Sequence, residues 1–374
     1  MNIYIDARAL QKPDWQGEQV YVHSLLTAMA HAAPEHHFHL HFAAEDWSAP
    51  LDALAALPNI TPHRCPGRLW SHASIPLKIL QTRSSVYFRM YNEYRALLVP
   101  VPCPVVALIH DLRHLQPNVS GPSTPRKDNP DDHPHVRNFD HIVAVSGTVK
   151  HEISTLFHIN ADRITVAHNA IDIPAALGAQ HGPPGIDATT RFFLMVNPGA
   201  PHKNWSDALA GFADYRACYN DHSIRLVLAG NLHDEAPAIR ARIAANPLLA
   251  DSVLCLGYVG DAQLRYLYSH ARALLYPSRY EGFGRPILEA MVYGTPVIAA
   301  DIPVSREVAA GAALAVPLDA PSALADALYR VETDHALRET LAARGKARAR
   351  QFSWDQSAAA ALHALVTIGN AVAL

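Results

Sequence analysis

The chain has 374 residues, of which 49% are hydrophobic and 17% charged, a globular balance with material for two domains or one large one. Its formal net charge of −3 at pH 7 provides no overall positive field, which argues against a nucleic-acid partner. The sequence contains no run of about 18 apolar residues, so no transmembrane helix is predicted.

Residues 1–10 do not combine a basic segment with an apolar run, so no signal peptide is expected. Four cysteines, at positions 65, 103, 218 and 255, lie far apart and lack the spacing of metal or redox sites. We interpret them as buried thiols in a reducing compartment. The sequence therefore predicts a cytoplasmic protein.

The first half alternates short apolar runs with helical patterns, which predicts a parallel sheet with helices on both faces. The predicted strands are residues 2–5, 37–43, 86–90, 105–109, 142–145 and 164–167, and the predicted helices are residues 20–30 and 148–157. Gly17 falls in the predicted loop between the first strand and the first helix.

The segment 36–42 is rich in histidine and could suggest a metal site. Strand alternation instead directs its large apolar side chains to the core and His37, His39 and His41 to solvent. No cysteine or carboxylate completes a ligand set at suitable spacing, so no metal is expected here.

Residues 178–190 consist largely of glycine, proline and short polar residues without periodicity, which predicts an interdomain linker. A second α/β series follows. Its predicted strands are residues 192–196, 224–229, 253–255, 273–276, 296–300 and 313–316, and its predicted helices are residues 205–219, 264–271, 321–331 and 334–352. The predicted domains are thus residues 1–177 and 191–353, with a final apolar helix at 354–374.

The segment 276–300, YPSRYEGFGRPILEAMVYGTPVIAA, places Glu281 and Glu289 eight positions apart around a glycine-rich loop and a helix start near Pro286. Backbone N–H groups at a helix start favour an anion. With Glu281 in the loop and Glu289 on the first helical turn, both carboxylates can face one crevice and accept hydrogen bonds from sugar hydroxyls. The pattern predicts a nucleotide-sugar site; the alternative is a βα turn with two solvated acids.

Two further positions carry chemistry at strand ends. Lys203 follows the strand 192–196 and precedes a helix, where its ammonium suits a diphosphate. An exposed lysine near a helix start is the alternative. His110 ends the buried strand 105–109, where it either contacts a sugar or caps the strand end.

The segment 276–300 resembles the E-x7-E signature of retaining glycosyltransferases of the GT-B fold, specifically family 4. The resemblance covers nearly all of the chain and is strongest in residues 191–320. It implies an α/β fold of two Rossmann-like domains that face one another across a cleft. It also implies that the last helix crosses back to the first domain.

The resemblance also implies roles for individual residues. The family usually has Arg-Lys where this chain has His202 and Lys203, so positive charge comes from Lys203, helped by His202 or Arg285. Gly17 corresponds to a glycine-rich loop under the diphosphate, and the loop of Tyr258 to one that borders the nucleobase. The implied catalytic residues are Glu281, His110 and Lys203, and the implied donor-binding residues are Glu289, Gly282, Phe283, Gly284, Lys203, Gly17, Tyr258, His202 and Arg285.

The family retains anomeric configuration, and no residue of this chain stands out as a covalent nucleophile. A front-face transfer, in which the departing phosphate takes the acceptor's proton, fits the residues present. There is no Asp-x-Asp motif, and we interpret Asp131 and Asp132 as solvated acids of a proline-rich loop. Lys203 and the amides of loop 282–284 are expected to stabilise the leaving group without a metal or other cofactor.

The overall pattern is most similar to bacterial mannosyltransferases of polysaccharide assembly. This implies GDP-mannose as the donor and a glycan or lipid-linked glycan as the acceptor. Two alternatives remain: a nucleotide-sugar epimerase on the same fold, and a catalytically silent nucleotide-sugar-binding subunit.

Residues 68–95 combine five basic residues with aromatic ones, which suits an anionic membrane surface. This predicts peripheral contact with the inner face of the membrane. The alternative is a simple strand and loop at residues 86–94.

Overall fold

The computed structural model describes residues 1–11, 17–43, 49–65, 68–90, 100–116, 119, 129–172 and 181–371. The chain forms two compact units. Unit 1 consists of the described parts of Met1–Leu115, Asp128–Ala170 and Phe352–Leu374. Unit 2 consists of the described parts of Gln116–Lys127 and Ile171–Gln351.

Unit 1 is built on a parallel sheet that has seven strands among the described residues, in the order β3-β2-β1-β4-β5-β6-β7. The strands are β1 (Asn2–Asp6), β2 (His37–Ala43), β3 (Ile60–Cys65), β4 (Val86–Arg89), β5 (Val105–Ile109), β6 (His141–Ala144) and β7 (Ile164–Val166). The helices are α1 (Gly17–Ala32), α2 (Ala49–Ala55), α3 (Arg68–Thr82) and α4 (Gly147–Phe157).

Unit 2 is built on a second parallel sheet, with six strands among the described residues in the order β10-β9-β8-β11-β12-β13. The strands are β8 (Phe192–Val196), β9 (Arg225–Ala229), β10 (Val253–Gly257), β11 (Ala273–Tyr276), β12 (Val297–Ala300) and β13 (Leu314–Val316). The helices are α5 (Trp205–Tyr219), α6 (Ala236–Ala244), α7 (Pro247–Ala250), α8 (Asp261–His270), α9 (Arg285–Tyr293), α10 (Pro303–Ala309), α11 (Pro321–Thr333) and α12 (His335–Ala349). The predicted fold class, two Rossmann-like α/β units, is confirmed.

The last helix, α13 (Trp354–Ala371), packs on unit 1. The ring of Trp354 meets the ring of Tyr21 on α1 edge-on, with centroids 5.5 Å apart. Ser357 donates a hydrogen bond from Oγ to the carbonyl of His168 at 2.5 Å. The chain therefore returns to its first unit after completing the second, as the resemblance implies.

Several elements differ from the sequence-based expectation. Gly17 is the first residue of α1 and not part of a loop. The strand β3 was not predicted because its sequence, ITPHRC, is polar and contains proline; an edge strand tolerates both. The helix α3 was not predicted either, and it holds Pro76 inside its length.

The prediction that alternate histidines of β2 face solvent is wrong for two of them. His39 is 9% exposed and His41 fully buried, because β2 lies between two neighbours in a sheet covered on both faces. His41 Nδ1 lies 3.0 Å from the hydroxyl of Tyr4, and His39 Nδ1 lies 3.0 Å from Nε2 of His63 on β3. One ring nitrogen of each of these two histidines therefore has a polar partner inside the unit.

The prediction of buried cysteines is also wrong for the three cysteines whose side chains the structure describes. Cys218 and Cys255 are exposed, and Cys103 is partly buried. The side chain of Cys65 lies outside the described residues. Within the described part of the chain, no helix combines the length and apolarity required to cross a membrane.

Candidate active site

The candidate site lies where the strand order of the second sheet reverses. The chain passes from β8 outward to β9 and β10, and then returns to the other side of β8 as β11. Loops that leave neighbouring strands in opposite directions open a crevice at their carboxyl ends, which is the usual ligand position in such sheets. The two loops at this point are residues 197–204 and 277–284.

Hydrogen bonds tie these two loops together. The backbone N–H of Arg279 donates to the carbonyl of His202 at 2.8 Å. The side-chain amide of Asn204 donates to the carbonyl of Pro277 at 3.1 Å. Asn204 has a φ of 58°, a left-handed conformation that asparagine tolerates better than most residues. The loops are therefore fixed to each other before any ligand binds.

Lys203 and Glu281, one from each loop, form an ion pair. Lys203 Nζ lies 2.7 Å from Glu281 Oε1, and the two side chains are only 13% and 12% exposed. The ammonium also lies 5.4 Å from the ring centroid of Tyr276, the last residue of β11. The structure thus brings together two residues that sequence analysis placed 78 positions apart on separate motifs.

The electrostatics of this pair keep Glu281 ionised. Burial by itself would raise the pKa of Glu281, but the nearby Lys203 ammonium and His202 outweigh it, so that this pKa lies below its ordinary value. Burial and the adjacent Glu281 charge raise the pKa of Tyr276 well above 10.0. The site therefore presents a carboxylate and an ammonium side by side over a neutral phenol.

The helix α9 begins at the end of the second loop. Gly284 precedes it with a φ of 94°, a conformation that favours glycine, and Pro286 lies in its first turn. Phe283 is 4% exposed and anchors the loop in the core. The positive end of the helix dipole therefore lies at the loop that carries Glu281.

Glu289 lies on the second turn of α9, one turn later than predicted. Its two carboxylate oxygens have different partners. Tyr268 on α8 donates its hydroxyl to Oε2 at 2.7 Å, and Arg285 Nη2 lies 3.1 Å from Oε1. Sequence reasoning missed Tyr268, although a buried tyrosine hydroxyl usually has a polar partner.

Two predicted donor contacts occupy the surroundings of this site. Tyr258 follows β10 at the same edge of the sheet and is 78% exposed, so an aromatic face is open to solvent there. Gly257 before it has a φ of 66°. His202 is 5% exposed and contributes to the site through the carbonyl bonded to Arg279 and through its effect on Glu281.

The remaining predicted residues belong to unit 1. His110 directly follows β5, and its ring meets the buried ring of Tyr21 edge-on at a centroid distance of 5.0 Å. Gly17 starts α1, and a Cβ added there would meet no atom within 4 Å. Unit 1 thus holds His110 on an aromatic support at a strand end.

Asp131 belongs to an exposed turn and lies 3.3 Å from Arg137, in agreement with the interpretation of a solvated acid. Among the described residues, no group of three or more histidine, cysteine, aspartate or glutamate side chains is arranged to hold a metal ion.

Comparison with known proteins assigns a family to each half of the chain. The family described as Glycosyltransferase Family 4 matches residues 15–174. The family described as Glycosyl transferases group 1 matches residues 179–348, the range that contains the candidate site.

Curated relatives align with part of the chain. The O-antigen chain mannosyltransferase RfbU of Salmonella typhimurium is 32% identical over 197 residues, which cover 53% of this chain and 52% of the relative. The O-antigen chain mannosyltransferase B of Escherichia coli is 45% identical over 100 residues, 27% of this chain and 26% of that relative. The chain thus spans about half or less of the length of these relatives.

A solved structure covers nearly the whole chain. Anabaena Alr3699/HepE in complex with UDP-glucose superposes with a TM-score of 0.72 and covers 97% of this chain and 99% of that protein, at 16% sequence identity. At this identity the likeness shows the fold alone. Because the two family matches fall on the two halves of a GT-B fold, the chain belongs to the GT-B glycosyltransferases of the group 1 and family 4 type.

Proposed function

We propose that this chain is a retaining glycosyltransferase that moves mannose from GDP-mannose to a glycan or lipid-linked glycan in polysaccharide assembly. The observation that carries the proposal is the Lys203–Glu281 pair at the switch point of the second sheet, beside the start of α9. Two relatives named as O-antigen chain mannosyltransferases support mannose as the sugar. A structure of the same fold in complex with UDP-glucose supports a nucleotide sugar as the donor.

Each group near the switch point has a defined role in this proposal. Lys203 and the start of α9 bind the diphosphate, because one supplies a full positive charge and the other aligned N–H groups. Glu281 accepts hydrogen bonds from the hydroxyls of the transferred sugar. Glu289 accepts those of the ribose, and the exposed ring of Tyr258 lies against the nucleobase.

The proposed reaction occurs on one face of the sugar. The bond between the anomeric carbon and the diphosphate oxygen breaks, and the acceptor oxygen forms the new bond on the same face. The acceptor's proton passes to the departing diphosphate. Lys203 stabilises the negative charge that develops on this leaving group, and His110 contacts the transferred sugar. No metal is required in this scheme, so activity is expected to persist in excess EDTA.

The decisive test is the variant Glu281→Ala, assayed with GDP-mannose and lipid-linked or soluble glycan acceptors. We expect transfer to fall at least about 100-fold, because a group that contacts the reacting sugar is lost. Nucleotide binding, measured by calorimetry, should persist. Full transfer by this variant would exclude the assigned role.

The same assays separate the two alternative functions. An epimerase converts the donor to an isomer in the absence of acceptor, which chromatography of the nucleotide sugars would detect. A silent binding subunit binds the donor but neither transfers nor slowly hydrolyses it. Either result would contradict a transferase.

A second proposal concerns peripheral contact with an anionic membrane from the cytoplasmic side. The basic and aromatic stretch that suggested it is only partly available, because Tyr87, Phe88 and Arg89 lie buried in β4. Residues 91–95 and the side chains of residues 68–73 lie outside the described residues. The outer face of α3, however, exposes Leu77 by 62% and Leu80 by 60%. Apolar side chains on a helix surface with basic neighbours suit the membrane interface.

Lys78 lies on α3, and the exposed Arg83 directly follows the end of this helix, so basic groups accompany these leucines. The proposal predicts that the protein floats with liposomes that contain anionic lipid and not with neutral ones. The double variant Leu77→Asp and Leu80→Asp should lose flotation and keep activity on a soluble acceptor. Unchanged flotation of that variant would contradict the proposal.

A further inference from the structure

The carboxylate of Glu289 has one fixed and one exchangeable partner. The fixed partner is Tyr268, which is 2% exposed and donates its hydroxyl to Oε2 at 2.7 Å. Its ring stacks parallel to Tyr293 at a centroid distance of 6.0 Å, and its carbonyl accepts a hydrogen bond from Thr295. The side chain of Tyr268 is therefore held by packing as well as by its backbone.

The partner of Oε1 is of a different kind. Arg285 lies one turn before Glu289 on the same helix, and its side chain is 21% exposed. A single pair of this kind between residues four apart contributes little stability, and a long flexible side chain leaves it readily. Oε1 is therefore the oxygen that a ligand can take over.

We infer that Tyr268 is a positioning residue, which holds Glu289 so that Oε1 accepts hydrogen bonds from the ribose of the bound nucleotide. The inference rests on the proposed function, in which Glu289 binds that ribose. Burial raises the pKa of Tyr268 well above 10.0, so its hydroxyl stays protonated and remains a donor.

The need for such a residue follows from the chemistry of the arginine. A guanidinium prefers to bind both oxygens of a carboxylate at once. Without the Tyr268 hydroxyl, the carboxylate could rotate and pair with Arg285 through both oxygens, which withdraws it from the nucleotide. While Tyr268 donates to Oε2, Arg285 can bind only Oε1. When ribose hydroxyls replace Arg285 at Oε1, its guanidinium is free to move to the diphosphate.

The test compares Tyr268→Phe with the unaltered protein in the binding of GDP and 2′,3′-dideoxy-GDP. We expect the unaltered protein to bind GDP about tenfold more tightly than the dideoxy nucleotide, because hydrogen bonds to a charged group usually contribute binding free energy of this size. Tyr268→Phe should lose most of this preference and bind the dideoxy nucleotide as the unaltered protein does. The matched control is Tyr293→Phe, which changes the stacked neighbour and should keep the preference.

Coupling to the carboxylate provides a second measurement. Glu289→Ala should abolish the preference without any change at Tyr268, and the double variant should lose no more than Glu289→Ala alone. Additive losses would show that Tyr268 acts independently of Glu289. Circular dichroism and thermal unfolding verify that each variant is folded.

The outcomes separate the inference from the function on which it rests. If the unaltered protein binds neither GDP nor UDP, the proposed function fails and the inference with it. If it binds but Tyr268→Phe keeps the full preference for ribose hydroxyls, only the inference fails. Equal weakening of both nucleotides by Tyr268→Phe would indicate a purely structural residue and would also overturn it. With UDP as the ligand, 2′,3′-dideoxy-UDP gives the same comparison.

Discussion

The two sheets reverse their strand order in the same way, yet their switch points are built differently. In unit 1 the reversal lies between β1 and β4, where Asp6 is fully buried and pairs with Arg8 at 2.6 Å. In unit 2 it lies between β8 and β11, where Lys203 and Glu281 pair while each stays partly open to solvent. Both points hold an ion pair between a carboxylate and a cation.

The two carboxylates differ in their exposure to solvent and in the kind of cation that they pair with. Asp6 accepts hydrogen bonds from Nε and Nη2 of Arg8 at 2.8 and 2.6 Å, and from the hydroxyl of Tyr87 at 3.2 Å. Glu281 accepts a hydrogen bond from the ammonium of Lys203, and the neighbouring side chain of Ser278 also helps to lower its pKa. A carboxylate enclosed by several donors has a structural role, whereas one held by a flexible point charge at a partly exposed position can also serve a ligand.

The largest effect that this comparison predicts is on catalysis in unit 2. Lys203→Ala should lower kcat by about 100-fold, because the charge that stabilises the leaving diphosphate is removed. Steady-state kinetics with GDP-mannose would measure it. The control is Lys346→Ala, an exposed lysine of the same unit, and an unchanged kcat in Lys203→Ala would place the diphosphate elsewhere.

The corresponding substitution in unit 1, at Asp6, should lower the stability of the protein and leave donor binding intact. Asp6→Asn leaves the Arg8 guanidinium beside a neutral amide inside the unit, which should cost about 3 kcal/mol of unfolding free energy. Urea titration followed by circular dichroism would measure the loss. Asp162→Asn, at an exposed aspartate of the same unit, should be neutral; a raised KM for the donor in Asp6→Asn would show that both switch points bind ligand.

A smaller difference is expected in the pH dependence of the two units. Burial, His37 and His63 lower the pKa of His39 to about 4, and burial with Lys78 and His37 lowers that of His63. An unfolded histidine binds its proton near pH 6.5, so the unfolded chain takes up more protons than the folded one below that pH. The free energy of unfolding of unit 1 should therefore fall by up to about 1.4 kcal/mol per pH unit for each such proton, as the pH falls from about 6.5 to 4.

In unit 2 the Lys203–Glu281 pair affects stability over a lower pH range. Because the pKa of Glu281 is lowered in the folded protein, the ionised carboxylate contributes stability at pH values above 4.5, its ordinary pKa. This contribution is lost as the pH falls through the pKa of the folded state. Hydrogen exchange at pH 7 and pH 5, corrected for intrinsic rates, should show weaker protection in unit 1 alone. The variant His39→Gln should reduce that sensitivity, and equal loss in both units would contradict the comparison.

Local sequence patterns predicted most of the elements around the candidate site. The bounds of β8, β11 and α5 agree with the structure, because each is a strongly patterned segment between clear turn signals. The patterns failed where a segment depends on its neighbours. The edge strand β3 is polar with a proline, and the histidines of β2 are buried by the layers on both faces of the sheet.

By itself, the sequence determined the two α/β series, the glycine that permits the turn before α9, and the residue types required for a nucleotide-sugar site. These depend on backbone sterics and short-range periodicity, which adjacent residues decide. Only the tertiary structure decided that Lys203 pairs with Glu281 and that Tyr268 holds Glu289. Those contacts join loops and helices that parallel strand pairing brings together, and strand order across a sheet is not written in any local pattern.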